Sequence, residues 1–130
     1  MFLIECVNAY MAVQALMEVE CDYRTAHALV VLKKRLLPHV EFFSAEEMKL
    51  VEAYAARGED GKVKMDGSRF VFAPGADTAA YARRRAELGT VEVEEEFPVL
   101  HAPLPPKVKP VHIEALEKFI EFQVDGGEGA

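Results

Sequence analysis

Apolar residues recur at steps of three and four through residues 22–57, then switch to alternation after Gly58, dividing the chain by pattern into helical and extended parts. In the first half of that stretch Ala26, Leu29, Val30, Leu36, Leu37, Val40 and Phe43 suggest one apolar helix face, with Arg24, His27, Lys34 and Glu41 mostly between them. Pro38 lacks a backbone donor and clashes with the preceding turn, which predicts a kink or a break. Ser44 and Glu47 then have capping-box spacing, and Leu50, Val51, Tyr54 and Ala55 carry the apolar face on until Gly58. One kinked helix and two separate helices both satisfy this pattern.

Upstream, residues 2–6 are short and apolar enough for a buried strand, with a helix start as the alternative. Asn8 is then a candidate N-cap for a helix over residues 9–19, on which Ala9, Ala12, Val13, Leu16 and Met17 share a face. Asp22 or Thr25 opens the long helical stretch. Downstream, Asp60-Gly61 and Asp66-Gly67 mark turns around two alternating runs, residues 62–65 and 69–72. A two- or four-residue loop at the second turn puts Val63, Met65, Phe70 and Phe72 on one side. Lys62, Lys64 and Arg69 then form a basic, wet face.

Asp77 or Thr78 predicts a further helix to about Leu88, closed by Gly89. Residues 90–100 alternate as a strand, with Val91, Val93, Phe97 and Val99 opposite Glu92, Glu94 and Glu96. Residues 102–110, APLPPKVKP, read as a proline-stiffened crossing segment. A last helix carries Ile113, Leu116, Phe119 and Ile120 on one stripe, with Glu114 and Lys118 paired on its outer side. The expected architecture is α+β. A helical layer, three N-terminal segments plus two later helices, packs on a small antiparallel sheet containing a β-hairpin. Residues 1–123 form one domain and residues 124–130 a disordered tail.

Composition narrows the function. The 130 residues are 51% hydrophobic and 28% charged, ordinary for a soluble domain with a real core. The formal charge of −7 argues against generic binding to nucleic-acid backbones or anionic membranes. Two cysteines, Cys6 and Cys21, make neither a metal pair nor a disulfide framework, so a reducing cytoplasm is expected. Glu5 interrupts the apolar start before any signal-peptide core forms, and no apolar run reaches the roughly 20 residues of a membrane span.

Within this acidic chain two basic clusters stand out. Arg83, Arg84 and Arg85 follow Tyr81 on a helix, with Arg84 expected at the border of the buried face. An arginine beside a tyrosine can hold a phosphate by paired hydrogen bonds and a base by stacking. The competing reading is surface ion pairs from these arginines to Glu92, Glu94 and Glu96. Lys33, Lys34 and Arg35, near His27 and His39, are a second anion-binding candidate or a solvated helix face. His27, His39, His101 and His112 show no zinc spacing, and no nucleophile elbow, phosphate loop or paired-carboxylate motif is present. No metal or cofactor is implied. The proline spacing of residues 103–106 is read as a stiff connection.

Several stretches taken together resemble a known family. They are the ending MKLVEAYAARGEDGKVKMDG of the long helical region, the helix-to-acidic-strand segment ELGTVEVEEEFPVL, and the closing HIEALEKFIEF. The chain is similar, from about Ile4 to Phe122, to a small family found in bacteriophages and prophages and known only as a domain of unknown function. The resemblance implies origin and small size, with no catalytic or ligand-binding position to carry over. The expected function is that of a non-catalytic phage-type binding protein in the host cytoplasm. It would sequester an anionic small molecule such as a nucleotide, or inhibit a host defence component, with Arg83, Arg84, Arg85 and Tyr81 as first contacts and Lys33, Lys34 and Arg35 as second. A virion assembly protein acting through protein–protein contacts is the alternative, and a hydrolase the third class. Its apolar helix surface points to a homodimer or higher homo-oligomer.

Overall fold

The structure is a computed structural model that describes residues 1–124. The chain begins as helix, with α1 spanning Leu3–Met17. The buried-strand expectation for residues 2–6 gives way to its alternative, because Leu3, Cys6 and Ala9 at helical spacing share the core face with Ala12, Val13 and Leu16. The helix starts five residues before Asn8. Its first turn is closed instead by Glu5, whose carboxylate accepts from the Phe2 N–H at 2.7 Å.

Helix α2 runs unbroken over Tyr23–Tyr54, about 48 Å of helix through Pro38. Asp22 caps it, accepting from the Arg24 N–H at 2.8 Å. Pro38 is exposed, so water can reach the Lys34 carbonyl that it leaves unpaired. Buried Leu36 and Phe43 on either side anchor both halves to the same core. Ser44 is therefore mid-helix, and it caps nothing. The expected single face also divides. Leu29, Leu32, Leu36 and Phe43 are buried, whereas Val30 and Leu37 lie outside. Thr25 is fully buried rather than a cap, and its hydroxyl donates to the Pro103 carbonyl at 2.7 Å.

The helix stops at Tyr54, four residues before Gly58, because the next residues turn extended and pair. Ala55 bridges Phe72 and Arg57 bridges Val63, both antiparallel, while β1 (Met65–Asp66) pairs with β2 (Arg69–Phe70). The three segments bond in a ring: the Ala56 N–H donates to Val71, Val71 to Lys64 and Lys64 to Ala56, at 2.7, 2.9 and 2.8 Å. The Asp66–Arg69 turn has a two-residue loop, with Gly67 at φ 65°, as the parity argument requires.

Asp77 caps α3 (Thr78–Gly89) by accepting from the Ala80 N–H at 2.9 Å. Gly89 ends this helix for a reason other than a left-handed cap. A Cβ there would stand 3.2 Å from the Ile4 Cβ, so the glycine lets α3 approach α1. Residues 90–99 do not form the expected strand. Phe2 bridges Glu92, the Leu3 N–H donates to Val91, and only Val93 of the alternating apolar residues is buried.

The C-terminal part departs furthest from expectation. Strand β3 (Leu100–Pro103) pairs in parallel with β4 (Ile120–Gln123), and the short helix α4 (Pro110–Leu116) connects them. The predicted last helix thus ends early. Buried Phe119 and Ile120 are placed by a turn and a strand, and Lys118 pairs with Glu5 at 2.5 Å instead of Glu114. The class is α+β, with helices α1, α2 and α4 around the main core. The single expected sheet becomes two separate pairs, one antiparallel and one parallel. Of the expected disordered tail, residues 125–130 lie outside the described residues.

Candidate functional site

Where α2 ends, the ring of extended segments folds back along it, and α3 passes alongside. A groove of about 580 Å³ lies there, within the usual size range of small-molecule sites. Met48 and Val51, one turn apart on α2, form one wall. Val63, Met65, Phe70 and Phe72 form the other, and Tyr81 of α3 stands between them. The Tyr81 ring meets Phe70 edge-to-face at 5.2 Å, Phe72 at 5.4 Å and Tyr54 at 5.7 Å. These contacts fix the ring's plane.

Three charged side chains edge the groove: Lys62 and Arg69 from the extended segments and Glu47 from α2. Glu47 is engaged by Arg85, whose Nε donates to it at 2.6 Å. Lys62 and Arg69 join no ion pair among the described residues. Burial, followed by the Glu47 carboxylate, pushes the Tyr81 hydroxyl above the ordinary phenol range, and Arg85 partly offsets this. Tyr81 is therefore a neutral phenol at physiological pH, able to donate.

The basic clusters meet this groove only in part. Tyr81 lines it, and Arg85 reaches it through Glu47 while its guanidinium lies 5.7 Å above the Phe43 ring. Arg85, not Arg84, occupies the border of the buried face. Arg83 and Arg84 are exposed and do not line the groove. None of the three pairs with the acidic run: Glu92 bonds the N-terminal amine and Glu95 bonds His39. Lys33, Lys34 and Arg35 sit at least three turns earlier on α2, roughly 18 Å along the axis from Glu47. One Arg35 nitrogen, Nη1, is buried without a hydrogen-bond partner.

The extended segments supply the second wall of the groove and both of its cations. Phe70 and Phe72 were legible as a buried face, and Lys62 and Arg69 as a wet one. That α2 closes the other side follows only from the chain's return along it. A larger groove of about 730 Å³ between α1 and α4 has Met11, Ala12, Ala15 and Val111 along it. There the lysine, Lys118, is already neutralised by Glu5. The smaller groove is the better site for an anion because its two cations are uncommitted.

Among the described residues no group of three or more His, Cys, Asp or Glu is arranged to hold a metal ion, and no helix is long and apolar enough to cross a membrane. No family model, curated protein or solved structure matches the chain.

Proposed function

We propose that this chain is a non-catalytic binding protein whose α2–hairpin–α3 groove takes a planar anionic small molecule, of which a nucleotide is the type. The observation that carries the reading is the placement of Lys62 and Arg69 at the rim of an aromatic-lined groove. A base can pack between the Met48–Val51 wall and the Phe70 and Tyr81 rings, while the two cations take the phosphate by charge-assisted hydrogen bonds. The resemblance to small phage proteins supports placing this activity inside an infected host, where sequestering a nucleotide signal or blocking a defence component would be its use.

The test is native mass spectrometry of the protein from infected cells, followed by titration calorimetry with the released compound or a panel of nucleoside mono- and diphosphates. A released mass of a few hundred daltons is expected. Arg69→Ala and Tyr81→Ala should each weaken binding at least tenfold, and Arg84→Ala should leave it unchanged. A protein that carries no passenger and binds no nucleotide overturns the proposal.

A virion assembly role is the second reading, favoured by the exposed Tyr23, Val30, Leu37 and Met48 on α2. It predicts co-purification with capsid or tail proteins and indifference to small anions.

A further inference from the structure

Helix α2 has two apolar faces, and the fold uses one. Thr25, Leu29, Leu32, Leu36 and Phe43 turn inward. Tyr23, Val30 and Leu37 repeat at seven-residue intervals, with Met48 eleven residues further on, and these point about 140° away from the core face. Their exposures are 80%, 37%, 38% and 53%. Apolar residues at seven-residue spacing on the outside of a helix form a stripe along which a second helix can pack.

The charges beside that seam say which helix. Lys33 and Lys34 lie four and three residues before Leu37, and Glu41 lies four residues after it. None of the three joins an ion pair among the described residues. A second α2 laid antiparallel, with Leu37 on the two-fold axis, places residue i opposite residue 74−i. Lys33 then faces Glu41 of the second copy and Lys34 flanks it, and the contact recurs across the axis. Val30 opposes Ser44, and Tyr23 opposes Val51. A parallel pairing would instead set lysine on lysine and glutamate on glutamate. The seam is complementary to itself in one orientation only.

We infer that the outer face of α2 is a self-association surface, on which two copies pair antiparallel about Leu37 with Lys33 and Lys34 against Glu41. The pairing brings Tyr23 of the second copy to Val51, on the α2 wall of the groove. The inference stands independently of what that groove binds.

Sedimentation equilibrium on the full chain tests it. The expected mass is twice the 14.5 kDa of the chain. Leu37→Glu, and separately Val30→Glu, should give a monomer with unchanged circular dichroism; both positions are partly exposed, so the fold should tolerate them. Glu41→Lys should weaken the dimer at least tenfold, and adding Lys33→Glu with Lys34→Glu should restore it. Leu37→Cys in a Cys21→Ser background should form an intermolecular disulfide. A monomer at every concentration, a dimer untouched by Leu37→Glu, or no rescue by the charge reversal would each overturn the assignment.

Discussion

Arg85 donates to Glu47 at 2.6 Å across the junction of α3 and α2, and the same guanidinium covers the Phe43 ring at 5.7 Å. One side chain thus ties a surface ion pair to the edge of the core. Both partners are partly exposed, so the ion pair contributes about 0–1 kcal/mol and the ring contact about 0.5–1 kcal/mol. Arg85→Ala should lower the melting temperature by about 3–6 °C. It should also raise the Tyr81 hydroxyl pKa further, whereas Glu47→Gln should lower it, because the carboxylate disfavours the phenolate and the guanidinium favours it. Tyr81-specific NMR titration reads both signs.

Thr25 holds α2 to β3 through one partly buried hydrogen bond to the Pro103 carbonyl. Thr25→Val keeps the volume and leaves that carbonyl unsatisfied. The expected cost is about 1–3 kcal/mol in urea denaturation. Faster exchange of the Leu104 amide, which donates to Gln123 at the end of the parallel pair, should accompany it. An unchanged midpoint would mean that water replaces the hydroxyl.

Cys6 is fully buried, and burial raises its thiol pKa to about 11. Thiolate is the reactive species, so Cys6 should resist alkylation at pH 8 while the partly exposed Cys21 reacts. Mass spectrometry should find one label per native chain and two after denaturation. Rapid labelling of Cys6 in the native protein would show that α1 opens locally.

The Glu5–Lys118 pair ties the start of α1 to the turn after α4. Hydrogen bonds from Lys118 and from the Phe2 N–H hold the Glu5 carboxyl below its ordinary value, and Glu5 raises Lys118. Stability from Glu5 is therefore present above its unfolded pKa and lost as pH falls through the lowered folded one. That from Lys118 is present below its unfolded pKa and lost as pH rises through the raised one. Glu5→Gln should flatten the acid limb of the stability profile below about pH 4.5. Thermal melts across pH 2–7 would show it, and an acid limb identical to wild type would exclude the linkage.

Gly89 allows α3 to approach Ile4, leaving 3.2 Å for any added Cβ. Gly89→Leu should cost about 1–3 kcal/mol by overpacking the α1–α3 contact, despite the better helix propensity of leucine. Equilibrium unfolding would measure it. A variant as stable as wild type would show that α1 and α3 separate freely.

How much of this was legible before folding depends on the range of the interactions concerned. Asp22 and Asp77 cap their helices as the residue types announce, since a cap is a contact within three residues. Gly67 accepts a positive φ in a two-residue loop, so the hairpin register followed from turn chemistry and parity. Tyr81 was singled out from its arginine neighbours, but the Phe70 and Phe72 beside it and the α2 wall opposite were not joined to it. Their union depends on backbone bonds among Ala56, Lys64 and Val71.

Local pattern by itself determined the helical start and extent of α3, the turns at Gly61 and Gly67, the α+β class and the acidic balance. These arise from propensity, capping and charge count. Tertiary structure decided the rest. It carried α2 through Pro38, because Leu36 and Phe43 are packed on both sides of the proline and its exposed side is open to water. It turned residues 120–123 from helix to strand, because the backbone of β3 offers Ile120 a parallel partner that the local sequence cannot supply. It also divided the apolar residues of α2 between a core and an outer seam. Periodicity marks a residue as apolar, and only the packing of α1 and β3 against one side of the helix settles which face is covered.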